Sequence, residues 1–467
     1  MKIVKKIMQW LGIGIGTLLV LIILASLIMN VVFGHELRQT LAKLKAEGRA
    51  LTIAEIRPAP IPDAQNAAPL FQKASELMGH GSHDKPAPKA APAIKELSDL
   101  INSNSYGMIG GLATWQTAHR EALPRLIQSP EMQALFAVLR EASQKPGYNN
   151  NLKYEDGPGT LLPNLSAIRA AARFRSIKAE LAAQAGDGAE AFATILEGLK
   201  LANLLQQEPI LVTQLVRIAC DLIMIDCLER MADKTDVPAY QVRALIAELA
   251  RHTDATPWIQ CMDGERVGIG LWCYQTLQHG SFRDFNSLLS TDMNIPRWLG
   301  WGLKYPYAPI LEKDLVVYLK LMSQQQDYYK VPYWKAAEAI RNHSIDPQIP
   351  RYCLLTRLIL PDLTHVVTRN AEHDAAVDVA RVGLGLKLFK QKNGAYPDTL
   401  DKLAPEFLEN IPVDPFTGKA LIYRKADAGF MLYSLGPNQQ DDNGMPKPTG
   451  PKTTGNEPYD IVWKCAR

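Results

Sequence analysis

The sequence lacks every short motif that would assign it to a common enzyme class. Its 467 residues contain no GxSxG elbow, no P-loop, no HExxH pair and no glycine fingerprint for dinucleotides. His252, His365 and His373 each lack a neighbouring Cys or Ser in a recognisable nucleophile context. We therefore assign no catalytic residue and expect a non-catalytic protein.

Strong charge is also lacking. The formal net charge is +3 at pH 7, which is close to neutral for 467 residues and gives no case for a nucleic-acid partner. Apolar residues make up 47% and charged residues 21% of the chain, which is the composition of a folded protein. The length exceeds what one hydrophobic core usually serves, so two or three domains are expected.

Cysteine is scarce, with six residues and no CxxC pair or Cys/His cluster of the kind that binds zinc. Cys220 and Cys227 lie about 10.5 Å apart on one predicted helix, beyond the ~7 Å limit for a disulfide. They and Cys273 lie in apolar helical stretches, so buried free thiols are the favoured interpretation. The sequence leaves the pairing of the six cysteines open.

A long apolar run does stand at the N-terminus. Lys2, Lys5 and Lys6 precede an uncharged run over 10–34, whose 25 residues exceed the roughly 20 that a helix needs to cross a hydrocarbon core. Lysines before the run and none directly after it place residues 1–9 in the cytoplasm and the remainder outside. A cleaved signal peptide is the alternative, but its apolar region would be only about 7–15 residues. We predict an uncleaved single-pass anchor in the bacterial inner membrane, with the bulk of the chain periplasmic.

The middle of the chain is predicted to be almost entirely helical. Residues 35–93 are expected to form a helical stalk and a linker rich in Pro and Ala, and residues 94–365 an all-helical domain. Short turns that contain glycine, such as 186–188, predict antiparallel hairpins of amphipathic helices, and hence a bundle or short solenoid. One polar stretch over 148–159 interrupts this domain and is predicted to be an exposed loop.

Aromatic residues are concentrated over 258–334, which contains five of the eight tryptophans. Such a segment can stack sugars or peptides, although core packing is the commoner role. Asp263 and Glu265 lie beside it, and Glu155 and Asp156 lie in the distant loop, but nothing in the sequence brings these carboxylate pairs together. The alternative function is therefore a helical periplasmic protein that binds or hydrolyses polysaccharide or peptide.

The C-terminal fifth of the chain carries an ordered series of motifs. A predicted helix ends in NGAYP at 393–397, and DPFTG at 414–418, two β-like runs, YSLG at 433–436, an acidic loop and an Asp-Ile pair at 460–461 follow. In this order the motifs resemble the C-terminal domain of type II secretion major pseudopilins. The resemblance covers roughly ninety of 467 residues and implies a small α+β domain over residues 366–467. The N-terminus lacks a pilin-type processing site, so the chain is not expected to be a pilus subunit.

The pseudopilin resemblance also implies a structural calcium ion. In that family the loop after the YSLG-type turn binds calcium, and the matching positions here are the Leu435 carbonyl, Asp441, Asp442 and Asp460. A flexible loop of hard oxygen ligands suits calcium. Lys447 lowers the local negative charge, and the alternative is a Gly/Asn turn closed by hydrogen bonds from the Asp side chains.

The whole chain further resembles a group of membrane-anchored proteins of Planctomycetes-like bacteria. These combine an NAAPL-type segment, here residues 66–70, with a helical middle and the same C-terminal module. This resemblance supports the order of the domains and implies no activity. We therefore predict a mainly α protein that acts as a membrane-anchored interaction or scaffold protein, with protein partners in the periplasm or in secretion or pilus-like machinery.

Overall fold

The computed structural model describes residues 2–80, 89–103, 111–279, 297–342, 346–360, 363–426, 429–448 and 458–465. For residues 297–307 only the backbone is described. Within these ranges the chain is mainly helical and carries a small three-stranded antiparallel sheet near its C-terminus, which confirms the predicted class.

The elements follow one another in a simple order, with the helices first and the strands last. In chain order the α-helices are α1 (Lys2–Ala46), α2 (Ile53–Ile56), α3 (Ala68–Leu77), α4 (Pro92–Ser103), α5 (Thr117–Ile127), α6 (Pro130–Ser143), α7 (Leu165–Gln184), α8 (Gly188–Leu204), α9 (Leu211–Ala232), α10 (Ala239–Leu249), α11 (Thr256–Gly264), α12 (Trp272–His279), α13 (Arg297–Asp327), α14 (Tyr333–Asn342), α15 (Leu354–Ile359) and α16 (Thr364–Asn393). A π-helical segment, Glu265–Leu271, joins α11 to α12. The strands are β1 (Ile422–Lys425), β2 (Phe430–Ser434) and β3 (Ile461–Cys465).

The N-terminal helix α1 runs without a break from the apolar run to Ala46. Among the described helices it is the one long and apolar enough to cross a membrane, over Trp10–Ala46. The predicted stalk is indeed helical, but it packs against the body. Leu44 is buried there, and Glu36 accepts a hydrogen bond from Lys320 on α13 at 2.8 Å.

Helical hairpins build the body. Between α7 and α8, Gly186 has a φ of +81°, a left-handed conformation that glycine adopts without steric cost. Asp187 then caps α8, because its carboxylate accepts a hydrogen bond from the Glu190 N–H at 2.9 Å. Helix α9 packs on both α7 and α8, so the hairpin becomes part of a bundle. The turn predicted between two helices over 186–188 is confirmed.

The polar stretch over 148–159 is not the fully exposed loop that its composition predicts, since Tyr148, Asn149 and Tyr154 are buried. Asn66, in the NAAPL segment, donates to the Asn149 carbonyl at 2.9 Å and accepts from the Asn149 N–H at 3.0 Å. Buried irregular backbone needs such partners, because no helix or sheet supplies them. Asparagine side chains therefore explain how a polar segment enters the core.

The C-terminal sheet has the order β1-β2-β3, with both pairs of strands antiparallel. Helix α16 packs across it so closely that a Cβ atom on Gly383 would lie 2.9 Å from the Trp463 ring. The residues expected to face the sheet, Val379, Val382 and Leu386, are buried, whereas Phe389 is half-buried. The helix and sheet thus form one compact α+β unit.

The same helix is also held by the helical body. The Lys387 ammonium donates to the carbonyls of Ala232 and Thr235 at the end of α9, at 2.6 and 2.9 Å. Residues of α16 and of the sheet share one continuous hydrophobic cluster with α6 to α10. The independent folding of residues 366–467 stays a prediction.

All six cysteines are buried free thiols. This confirms the interpretation of Cys220, Cys227 and Cys273 as core residues. It also answers the question of pairing that the sequence leaves open, since no disulfide joins any of the six.

Candidate functional site

One cluster of potential metal ligands lies within the described residues, where three parts of the chain meet. Asp221 is in the middle of α9, His252 follows α10, and His373 is in the first third of α16. All three residues are buried, and one ligand atom from each lies within 4.8 Å of the other two. We refer to Asp221, His252 and His373 as the Asp–His–His cluster.

One carboxylate oxygen stands at the centre of this cluster. Asp221 Oδ2 lies 2.9 Å from His252 Nδ1 and 2.9 Å from His373 Nε2. The second oxygen, Asp221 Oδ1, is buried and has no hydrogen-bond partner. A single carboxylate thus joins the body to the helix that carries the C-terminal sheet.

The outer nitrogen of each ring faces a second carboxylate. His252 Nε2 lies 3.5 Å from Glu248 Oε1, at the limit of hydrogen-bonding distance, and no hydrogen bond joins the two atoms. His373 Nδ1 lies 3.3 Å from Asp374 Oδ1. Each imidazole is therefore placed between two acidic groups, which orients both of its nitrogens.

A buried arginine completes the surroundings of the cluster. Arg217 lies one turn before Asp221 on α9 and is 0% exposed. Its Nη1 donates to the His252 carbonyl at 3.4 Å, while its Nε and Nη2 have no partner. The arginine places positive charge beside the acidic groups and holds the turn that carries His252.

The pKa values show how strongly these charges interact when no ion is present. Burial alone would raise the pKa of Asp221, but the charges and hydrogen bonds of His252 and His373 lower that pKa well below its usual range. Burial would lower the pKa of His252, yet Asp221 and Glu248 raise it to about 9. The pKa of His373 is raised as well, against burial, by Asp221 and Asp374. Without an ion, the cluster is a buried network of opposite charges.

The chemistry open to this cluster is structural. All its members are buried, so it offers no position at which a substrate could bind. Buried charges that are paired or that coordinate a metal are tolerated, whereas a lone buried charge is costly. The cluster is therefore suited to joining α9, the turn after α10, and α16.

In the sequence, His252 and His373 stand out only as histidines without a nucleophile beside them. They lie 31 and 152 residues from Asp221, so no local spacing connects the three. A search for Cys/His patterns also passes over a ligand set that contains no cysteine. The signal in the sequence is a pair of aspartates, Asp221 and Asp226, placed between two cysteines in a largely apolar helical stretch.

The predicted calcium ligands have hydrogen-bond partners of their own. Asp441 accepts from Tyr433 Oη at 2.9 Å and pairs with Arg424 at 3.0 Å. Asp442 accepts from Asn438 Nδ2 at 2.8 Å. In the described part of the loop, the three aspartates do not bring their oxygens as close together as the Asp–His–His cluster does.

Asp460 is the exception among these predicted ligands. It is 1% exposed, and its Oδ2 accepts from the Gly444 N–H at 2.7 Å. Its Oδ1 is buried without a partner. Burial raises the pKa of Asp460, and the nearby carboxylates of Asp442 and Asp441 raise it further. The loop thus has one buried oxygen available to a ligand, and it also has the hydrogen bonds of a closed turn. Both interpretations of the loop remain predictions.

The DPFTG motif has a structural role that sequence analysis did not assign. Asp414 is buried, and its Oδ1 accepts from the Ser434 hydroxyl at 2.9 Å and from the Phe416 N–H at 2.8 Å. Its Oδ2 accepts from the Leu435 N–H at 3.0 Å. One aspartate therefore connects the DPFTG turn to the YSLG turn and positions the Leu435 carbonyl.

Of the three described tryptophans in the aromatic segment, Trp334 is 40% exposed, whereas the other two are buried or half-buried. Trp258 is 1% exposed and stacks on Tyr329, with ring centroids 5.5 Å apart. Trp272 is half-buried and donates to the Glu155 carbonyl at 2.7 Å. The side chains of Trp298 and Trp301 lie outside the described residues.

Three of the four carboxylates named near this segment have partners. Glu265 is buried, and its side chain accepts a hydrogen bond from the Leu211 N–H at 3.2 Å. Asp263 pairs with Arg266, and Glu155 pairs with Arg57. These groups hold structural elements together, as expected for carboxylates that are not part of a catalytic pair.

No protein-family model matches the chain, and no curated protein or solved structure matches it either. The resemblances to major pseudopilins and to membrane-anchored proteins of Planctomycetes-like bacteria therefore stay predictions.

Proposed function

We propose that this protein is a membrane-anchored interaction or scaffold protein, held in the bacterial inner membrane by α1 with its bulk in the periplasm. The observation that supports this proposal is the surface of α1. Large apolar side chains from Trp10 to Val32 are exposed along this helix. An apolar helix surface of this length needs an apolar environment, which a lipid bilayer provides.

The manner in which α1 joins the body also supports a scaffold role. Gly34 lies beside Glu312, and Arg49 lies beside Asp327, a separation of 278 residues in both pairs. Helices α1 and α13 therefore run parallel in a constant register. Arg49 is buried, and its guanidinium donates a hydrogen bond to the Asp327 carboxylate at 2.7 Å. A body that is packed directly on its anchor has a fixed height and orientation above the membrane.

Because its polar sites are buried or already paired, the protein is better suited to interaction than to catalysis. The Asp–His–His cluster is buried, and Asp263, Glu265 and Glu155 near the aromatic segment have partners. The alternative of a polysaccharide- or peptide-active protein depends on stacking faces, and the burial of Trp258 removes one of them. The partner class suggested by the C-terminal motifs is secretion or pilus-like machinery, with a calcium-stabilised module as the contact.

Reporter fusions to the full chain test the topology. An enzyme that works only outside the cytoplasm should be active when fused after Arg467, and one that works only in the cytoplasm should be inactive there. Activity of the cytoplasmic reporter would overturn the proposal. The control is the same pair of fusions placed before Lys2, where the expected activities are reversed.

A scaffold role also predicts that the protein is part of a larger assembly in its host. The full chain, gently solubilised from the membranes of its own host, should migrate as a larger particle than the purified chain in the same detergent. Equal sizes would contradict the interaction role while leaving the membrane topology intact.

A further inference from the structure

We infer that the Asp–His–His cluster binds one divalent ion of the zinc class, which fastens α16 to the helical body. His252 Nδ1, His373 Nε2 and both oxygens of Asp221 are the donor atoms. Imidazole nitrogen and carboxylate oxygen are ordinary zinc ligands, and here three residues supply them, with the carboxylate able to bind through both of its oxygens. The inference is independent of the membrane proposal.

The spacing of the donor atoms supports this assignment. Both ring nitrogens lie 2.9 Å from Asp221 Oδ2. Donors that bind one zinc ion at about 2.0–2.1 Å in a tetrahedral arrangement are separated by about 3.3 Å. Each ring nitrogen therefore needs to move away from Asp221 Oδ2 by only a few tenths of an ångström for the two to share an ion.

The unpartnered oxygen provides the second argument. Asp221 Oδ1 is completely buried and accepts no hydrogen bond. A carboxylate oxygen in that state loses its hydration without compensation. A metal ion bound by both oxygens of Asp221 would satisfy this atom, which the two histidines leave unpaired.

The outer carboxylates provide the third argument. Histidines that bind a metal through one nitrogen usually turn the other nitrogen towards a carboxylate, a carbonyl or water. Glu248 stands in this position 3.5 Å from His252 Nε2, and Asp374 stands 3.3 Å from His373 Nδ1. The ring orientation needed for coordination is therefore already present in the fold.

Metal analysis of the purified full chain tests the inference. The protein should be expressed with zinc in the medium, purified in mild detergent without chelators, and analysed by mass spectrometry for all transition metals. We expect about one zinc ion per chain. Removal with a zinc-selective chelator should lower the melting temperature by several degrees, and zinc alone should restore it. A chain that contains no metal and melts identically in zinc and in chelator overturns the inference.

Substitutions place the ion at these residues. His373→Gln should lose the bound zinc and the melting shift, whereas His365→Gln, an exposed histidine on the same helix, should retain both. If His373→Gln fails to fold, His252→Gln gives a second variant, and Co²⁺ replacement in the parent gives a spectrum that reports nitrogen and oxygen ligands. Zinc retained in folded His373→Gln and His252→Gln would locate the ion elsewhere and refute the assignment.

Discussion

Glu229 of α9 accepts a hydrogen bond from the backbone N–H of Lys464 in β3, at 3.1 Å. The contact connects the last strand of the sheet to the helix that also carries Asp221. Burial, together with the nearby charge of Asp226, raises the pKa of Glu229 to about 7, although the Lys464 N–H and the charges of Arg230 and Lys464 oppose the rise. The junction between body and module is therefore sensitive to pH near neutrality.

Glu229→Gln should change how stability depends on pH. The folded protein holds the Glu229 proton up to a pKa of about 7, whereas the unfolded chain releases it near its ordinary value of 4.5. The stability due to the bound proton is therefore complete below pH 4.5 and is lost as pH rises to about 7. Glutamine does not titrate, so the melting temperature of the variant should rise relative to that of the parent as the pH increases through this window. Glu409→Gln, an exposed glutamate, is the control. A difference between parent and Glu229→Gln that does not vary with pH would contradict the assignment.

Much of the architecture follows from local sequence signals. The turn at Gly186 and the cap at Asp187 predict a hairpin, because both residues act on their own backbone. The burial of the stretch containing Tyr148 and Asn149 does not follow from local sequence signals. Its partners include Asn66, 83 residues away. Polar side chains usually predict exposure, but here they supply the hydrogen bonds that an irregular backbone needs when it is buried.

Gly383→Ala should destabilise the C-terminal module. The new Cβ would lie 2.9 Å from Trp463, whose ring is buried. Overpacking of this kind costs about 1–3 kcal/mol, which exceeds the roughly 0.5–1 kcal/mol that alanine gains over glycine in a helix. Thermal melting of the full chain followed by circular dichroism should show a lower midpoint. Gly268→Ala, where the nearest atom to the added Cβ lies at 4.0 Å, should show no loss. An unchanged midpoint for Gly383→Ala would mean that α16 lies farther from the sheet.

Calcium should stabilise the protein if the Leu435 carbonyl, Asp441, Asp442 and Asp460 bind it. At a hundredfold excess over the dissociation constant, an ion that binds only the folded state contributes about 2.7 kcal/mol, which should raise the melting temperature by a few degrees. Asp460→Asn should abolish the rise, because it removes the charge of the buried carboxylate and keeps an acceptor for the Gly444 N–H. Glu409→Gln should leave it intact. If the parent melts at the same midpoint temperature in calcium and in EGTA, the calcium site is excluded and the loop is a hydrogen-bonded turn.

The two candidate ion sites show where a sequence stops being informative. The acidic loop is local, so Asp441, Asp442 and Asp460 are found through motif order alone. The Asp–His–His cluster draws each residue from a different helix or turn, and its residues meet only because α16 packs on α9 and α10. No spacing rule connects residues that tertiary packing alone brings together.

The register between α1 and α13 leads to a prediction about the membrane. Helix α13 begins at Arg297, fifteen residues before Glu312, which is roughly 22 Å along a helix. The register that places Glu312 beside Gly34 places this start beside residue 19 of α1, within the apolar run over 10–34. The first turns of α13 should therefore enter the outer leaflet of the bilayer alongside the anchor.

Spin labels can measure this depth in the full chain reconstituted in lipid vesicles. All six native cysteines are buried, so a cysteine introduced as Leu299→Cys is the site expected to react with a nitroxide reagent. Because oxygen concentrates in lipid and a water-soluble nickel chelate does not, the label should be accessible to oxygen and protected from the chelate. Tyr240→Cys replaces a side chain that is 70% exposed on α10 and should be accessible to the chelate. Access of the chelate at position 299 would place the segment in water, and exclusion of both reagents would place it inside the protein. Either result would contradict insertion of this segment into the bilayer.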